Sequence, residues 1–190
     1  LLMHTDPKDV HGQDLEDIVQ HLGLQNRQVM FSTTKVPVEN MPVFYNLVDA
    51  TINVSDAEGF GLSTLESLSC GRPIIATMTG GLQEQVLSGE EQFGIPLFPT
   101  SKAIIGSQQV PYIYEDRLNE DQVVSALYNL YSLGDEERRK LGEKGRQHVL
   151  KNYNFKDFEE KWVEEMLKIY ETYGSWDTRE NYSGITFKEI

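Results

Sequence analysis

Two glutamates separated by seven residues, Glu58 and Glu66, flank a turn with glycines at positions 59 and 61 in the run Ser55-Asp-Ala-Glu-Gly-Phe-Gly-Leu-Ser-Thr-Leu-Glu-Ser-Leu-Ser-Cys-Gly-Arg-Pro73. Carboxylates accept hydrogen bonds from paired hydroxyls, such as those of a sugar or a ribose diol. Glycines let a backbone turn sharply and approach a ligand closely. A helix that starts near Leu62 turns free N–H groups and a positive dipole end toward the turn, an arrangement that favours phosphate. At ~1.5 Å of rise per residue, Glu66 lies roughly 5 to 6 Å along that helix. One carboxylate then stands at the phosphate end and the other a turn further on, a spacing suited to a sugar diphosphate nucleoside.

Positioning such groups requires strands on both sides of the turn. Thr51-Ile-Asn-Val54 and Pro73-Ile-Ile-Ala76 are short β-rich runs, and the second leads into Gly80-Gly81. The order strand, loop, helix, strand builds parallel sheets, so the fold class is α/β. In open parallel sheets ligands bind beyond the carboxyl ends of the strands, where Glu58 to Gly61 falls. Each piece also has a plainer reading. Ser63 and Glu66 have capping-box spacing, which would turn Glu66 back onto the helix start. Glu58 also reads as a solvated loop acid, and Phe60 as packing beneath the loop. Gly80-Gly81 reads equally as a strand-to-helix turn or as ligand-facing backbone. Cys70 reads as a small buried residue at a helix end.

At these residues the chain resembles the retaining glycosyltransferases of family 4, group 1 type, whose signature is this glutamate pair with Gly-Phe-Gly after the first. The likeness continues through Glu66-Ser-Leu-Ser-Cys-Gly-Arg-Pro-Ile-Ile-Ala76 and Thr79-Gly-Gly-Leu-Gln-Glu84. It implies a GT-B fold whose C-terminal half is a Rossmann-like parallel sheet with helices on both faces, followed by C-terminal helices. It further implies that residues 1–173 form the nucleotide-sugar-binding domain without its first strand and helix, and that the tail 174–190 packs on an absent N-terminal domain. Family members carry an Arg and a Lys in that missing strand and helix to neutralise the diphosphate, and no match to that pair occurs here, so the fragment alone is expected to be inactive. Carried over residue by residue, Glu58 is the catalytic candidate and holds sugar hydroxyls. Gly59, Phe60, Gly61 and Leu62 offer backbone to sugar and phosphate, and Glu66 binds ribose. Thr33, Lys35 and Val36 lie in the stretch that lines the base pocket, and Gly80 and Gly81 lie near the donor. Lys35 also reads as a solvated loop lysine.

The resemblance implies a UDP-, GDP- or ADP-linked sugar as donor, and a glycan, lipid or small-molecule acceptor held by the missing domain. It implies no cofactor and no required metal. Two other functions compete with transfer. One is a nucleotide-binding or scaffold module without turnover. The other is a glucan synthase-like enzyme, suggested by Thr79-Gly-Gly-Leu82 and opposed by Gly59-Phe60, where such synthases carry Pro-Cys.

Composition narrows the field. Thirty acidic residues against 17 basic give a net charge of −13, which argues against nucleic acid or an anionic bilayer as partner. A single cysteine leaves no internal disulfide framework and fits a reducing, cytoplasmic setting. No apolar run approaches the length of a transmembrane segment.

Elsewhere the pattern predicts a strand at Leu1–His4, whose lack of a lead-in suggests a start inside a larger protein. It predicts a helix over Asp14–Leu22 stopped by Gly23, a strand over Gln28–Ser32, and a helix over Glu39–Val48 interrupted near Pro42. From Ser88 to Leu118 two strand-like runs, Phe93–Phe98 and Val110–Tyr114, read as an insertion or small hairpin over one rim of the cleft. Three helices follow. The first has Val123, Leu127, Leu130 and Tyr131 on one face, and Asp135 caps the second, which ends at Tyr153. The third has Phe155, Phe158, Trp162, Met166 and Ile169 or Tyr170 as a core-facing stripe. In the tail, Trp176, Tyr182 and Phe187 read as apolar contacts awaiting a partner.

Overall fold

The computed structural model describes residues 1–175, 177 and 178, so Trp176, Tyr182 and Phe187 lie outside the described residues. The chain forms two compact units, Leu1–Met41 and Pro42–Ile190. In the first, β1 (Leu2–Met3) and β2 (Met30–Phe31) pair in parallel, with Leu2 opposite Met30 and Met3 opposite Phe31. Between them runs α1 (Leu15–His21), whose Asp14 cap accepts a hydrogen bond from the Asp17 amide. The helix stops as predicted, with Gly23 in a left-handed conformation just past Leu22. A 3-10 turn at Val38–Asn40 closes the unit.

In the second unit, α2 (Met41–Tyr45) is shorter than the predicted Glu39–Val48 helix, because its first turn is taken by the 3-10 segment. A three-stranded parallel sheet follows in the order β3 (Thr51–Asn53), β4 (Ile74–Thr77), β7 (Ile95–Leu97). The register sets Ile52 opposite Ile75 and Ala76 opposite Pro96. Between the strands lie α3 (Leu62–Ser69) and α4 (Leu82–Val86), then a small antiparallel hairpin of β5 (Leu87–Ser88) and β6 (Glu91–Gln92).

All four residues of β4 are buried, as a strand covered on both faces must be. Side chains alternate across a strand, so Ile74 and Ala76 pack with Leu68, Met78, Leu82, Val86 and Val149. Ile75 packs on the opposite face with Leu97, Ala126 and Leu130. Helices therefore cover both faces, as the α/β reading requires. These apolar clusters supply the main driving force, at ~25 cal/mol for each Å² withdrawn from water.

The stretch after Val86 corrects the sequence reading. Phe93–Phe98 is not part of an insertion: Ile95–Leu97 is the third strand of the central sheet. Pro96 made it look like loop, yet a proline is tolerated on an edge strand, where no second ladder needs its missing N–H. Beyond the β5–β6 turn, a longer hairpin of β8 (Ser101–Ile104) paired with β9 (Tyr114–Arg117) lies later in the chain than predicted.

The three helices come where expected, as α5 (Glu120–Ser132), α6 (Gly134–Asn152) and α7 (Phe155–Tyr173). Their faces differ from the prediction. In α5 the buried residues are Ala126 and Leu130, while Leu127 and Tyr131 are exposed. Asp135 pairs with Arg138 instead of capping α6. No residue of α7 is buried; Phe155, Phe158 and Trp162 stand exposed, with Phe158 paired to each of the other two rings. Among the described residues no helix is long and apolar enough to cross a membrane.

Candidate functional site

The chain leaving β3 is fixed before it reaches the first glutamate. Asn53 Nδ2 donates to Thr64 Oγ1 at 3.1 Å, and Asn53 Oδ1 accepts from the amide and hydroxyl of Ser55. Thr64 is fully buried in the first turn of α3, so the end of the strand is stitched to the start of the helix. Asp56 is held from another side: its carboxylate pairs with Arg117 at 2.9 Å, and its carbonyl accepts from the Asp116 amide at 2.8 Å. The β8–β9 hairpin thus touches the loop that carries Glu58.

Three successive carbonyls of that loop meet the segment after β4. A Cβ on Gly80 would lie 1.6 Å from the Glu58 carbonyl oxygen, and Gly80 has φ of 48°, so the position admits only glycine. The Gly81 amide donates to the Gly59 carbonyl at 3.0 Å, and Gln85 Nε2 donates to the Phe60 carbonyl at 2.6 Å. Gln85 is itself fully buried. Gly80 and Gly81 therefore support the loop from the side of β4.

Glu58 is half-buried, and its Oε1 accepts from the Gly59 amide at 3.1 Å, leaving the other oxygen without a hydrogen bond among the described residues. Gly61 caps α3 with φ of 87°, and a Cβ there would fall 2.3 Å from Leu82 Cδ2. Having no side chain, it leaves the first amides of α3, at exposed Leu62 and Ser63, without a side-chain acceptor. Such amides attract an anion.

The capping-box reading of Glu66 fails here. With the cap at Gly61, Ser63 is already the second helical residue, and the box is out of frame. Glu66 is exposed, and its Oε2 accepts from the Tyr45 hydroxyl at 2.8 Å. Burial, and then the bond to Glu66, push the Tyr45 phenol well above its ordinary value, so it remains a donor at neutral pH.

Phe60 is half-exposed and meets the Tyr153 ring edge-on, with centroids 6.2 Å apart. Tyr153 meets His148 at 5.5 Å, and His148 stacks on Phe93 at 3.8 Å. His148 Nε2 lies 3.0 Å from the Glu84 carbonyl and Nδ1 lies 2.9 Å from Asn152 Nδ2. Burial pushes its pKa down despite that carbonyl. Thr33, Lys35 and Val36 lie in the first unit on the loop after β2; the first two are exposed and Val36 is half-buried.

Sequence reasoning missed Tyr45, Gln85 and Arg117. Gln85 directly follows the Gly-Gly-x-x-Glu block, a position that signalled it, whereas nothing local marked Tyr45 or Arg117. A cavity of about 490 Å³, lined by Cys70, Gly71, Arg139 and Arg146 among others, lies at the opposite, C-terminal end of α3. There burial pushes the half-buried Cys70 thiol up, against the pull of Arg146 and Arg72. Among the described residues no three His, Cys, Asp or Glu side chains gather as metal ligands.

Residues 10–148 match the family described as glycosyl transferases group 1. The chain belongs to that family. Its relatives include the lipopolysaccharide core biosynthesis mannosyltransferase LpsB of Rhizobium meliloti, 32% identical over 48% of this chain and 25% of the relative. The α-1,3/1,6-mannosyltransferase ALG2 of Dictyostelium discoideum is 28% identical over 78% of the chain and 30% of its own length. The chain thus spans less than a third of these curated relatives. Among solved structures, sucrose-phosphate synthase of Thermosynechococcus elongatus aligns with a TM-score of 0.64 at 22% identity, over 90% of this chain and 38% of the other. HepE of Anabaena in complex with UDP-glucose aligns with a TM-score of 0.60 at 19% identity, over 82% and 36%. These likenesses identify the fold as that of GT-B glycosyltransferases.

Proposed function

We propose that this chain is the donor-binding half of a family 4 glycosyltransferase, which moves a sugar from a nucleoside diphosphate to a hydroxyl acceptor with retention at the anomeric carbon. The observation that carries the reading is the loop from Glu58 to Gly61. Its carbonyls are engaged on one side by Gly80, Gly81 and Gln85, and it ends at a helix whose first amides have no side-chain cap. Glu58 keeps one carboxylate oxygen for sugar hydroxyls. The amides at Leu62 and Ser63 receive the diphosphate, and the dipole of α3 stabilises the charge that builds on the leaving group. Glu66, a turn further on, accepts from the ribose diol. Related folds in complex with UDP-glucose support the donor class. On this reading the acceptor, whether glycan, lipid or small molecule, is held by a further domain, the diphosphate-neutralising cations come from a strand and helix of the donor domain outside these residues, and the enzyme works in the cytoplasm.

The test titrates UDP-, GDP- and ADP-sugars against the full-length polypeptide and follows transfer. Glu66→Ala is expected to weaken nucleoside diphosphate binding by about 1 to 3 kcal/mol, the worth of charge-assisted hydrogen bonds. Glu58→Ala is expected to lower turnover more than nucleoside diphosphate affinity. Binding without transfer to any acceptor would turn the reading into a binding module, and no binding of any donor would end both.

A further inference from the structure

The geometry points to Tyr45 as the residue that positions Glu66 for the ribose, and so as a determinant of ribose recognition; the inference rests on the donor-binding reading above. Tyr45 ends α2, and its hydroxyl donates to Glu66 Oε2 at 2.8 Å. A glutamate on an exposed helix face has three rotatable bonds and, left alone, samples several rotamers that face water. One fixed donor removes most of that freedom. A carboxylate offers about four lone-pair sites, so a single bond from Tyr45 orients the group while leaving acceptors for a vicinal diol.

The donor is itself held. Asn46, the next residue, donates through Nδ2 to the Pro42 carbonyl at 2.7 Å and accepts through Oδ1 from the guanidinium of Arg72. The Arg72 amide in turn donates to the Ser67 carbonyl in the last turn of α3. Two consecutive residues of the α2 end therefore grip α3 at two points, one mid-helix through Tyr45 and one past its C-terminus through Asn46. This clamp fixes the distance between the Tyr45 ring and the Glu66 side chain. The half-buried ring also forms an apolar wall beside the carboxylate. Tyr45 acts through Glu66 and does not itself touch the reacting atoms.

The test compares the affinity of the full-length protein for UDP, GDP or ADP, whichever binds tightest, with that for its 2′,3′-dideoxy analogue. The wild type is expected to prefer the ribose form. Tyr45→Phe keeps the ring and removes the donor; it should reduce that preference about tenfold, the size of one hydrogen bond to a charged group. Tyr45→Leu, a second variant without a donor, should do the same. In a Glu66→Ala background the Tyr45→Phe change should have no further effect on the preference, because its route is gone. A preference unchanged in both Tyr45 variants, or reduced equally with and without Glu66, would overturn the assignment even if the thermal midpoint falls. If the wild type binds diphosphates without preferring ribose, the role of Glu66 falls and that of Tyr45 with it. If it binds none of the three, the donor-binding reading has failed first.

Discussion

β4 and α7 both carry apolar side chains and meet opposite fates. Every residue of Ile74–Thr77 is buried, whereas no residue of Phe155–Tyr173 is. The difference lies in what each can be packed against. β4 has a strand on either side and helices over both faces, while among the described residues the α7 rings Phe155, Phe158 and Trp162 pair with one another. An apolar face therefore states a demand for a partner and does not say that this stretch of chain supplies one.

The sharpest way to break the contrast is to truncate both regions and measure unfolding by denaturant. Ile75→Ala, at a fully buried position between the sheet and α5, should cost about 3 to 4 kcal/mol through lost transfer energy and an unfilled cavity. Next comes Gly80→Ala, which drives a methyl into the Glu58 carbonyl in a left-handed conformation and should cost about 2 to 3 kcal/mol. It should also displace Glu58 and abolish donor binding, which Ile75→Ala in a refolded sample need not do.

A smaller effect comes from acid. His148 is buried beside Phe93 with its folded pKa below the ordinary value, so the unfolded chain binds a proton more readily. The stability it allows is complete above its unfolded pKa of ~6.5 and declines as pH falls through that value toward the folded one. Unfolding curves at pH 7.5 and pH 5.5 should show a drop, and His148→Phe should reduce it. Charges that bear on the same ring, Glu91 and Lys151, are retained in both proteins. Least affected should be Trp162→Ala, which removes a half-exposed ring and should change stability by less than about 0.5 kcal/mol. A loss above 2 kcal/mol there would erase the contrast between the two regions.

Much of the fold was legible because its signals are local. The β-branched runs at Thr51 and Ile74 and the glycine that stops α1 each act over a few residues, and each lies where the pattern predicts. The third strand was hidden by Gly94 and Pro96, whose local preference for loop yields to pairing with β4. Within the site, Gly59 to Leu62 read correctly as a turn into a helix. The capping-box alternative for Glu66 falls away because its frame depends on where the cap falls, and the cap is Gly61. Tyr45, 21 residues before Glu66, left no trace in spacing, since only the fold brings the two together.

The carbonyls of Glu58, Gly59 and Phe60 all face the chain after β4, and this separates the path of the loop from the identity of its side chains. Exchanging the residue at 58 or 62 alters what the turn presents to a ligand without altering the course of its backbone. The glycines at 61 and 80 have no such latitude. Such a loop is built as an interchangeable head on a fixed mount, its side chains open to exchange while the fold is left as it is.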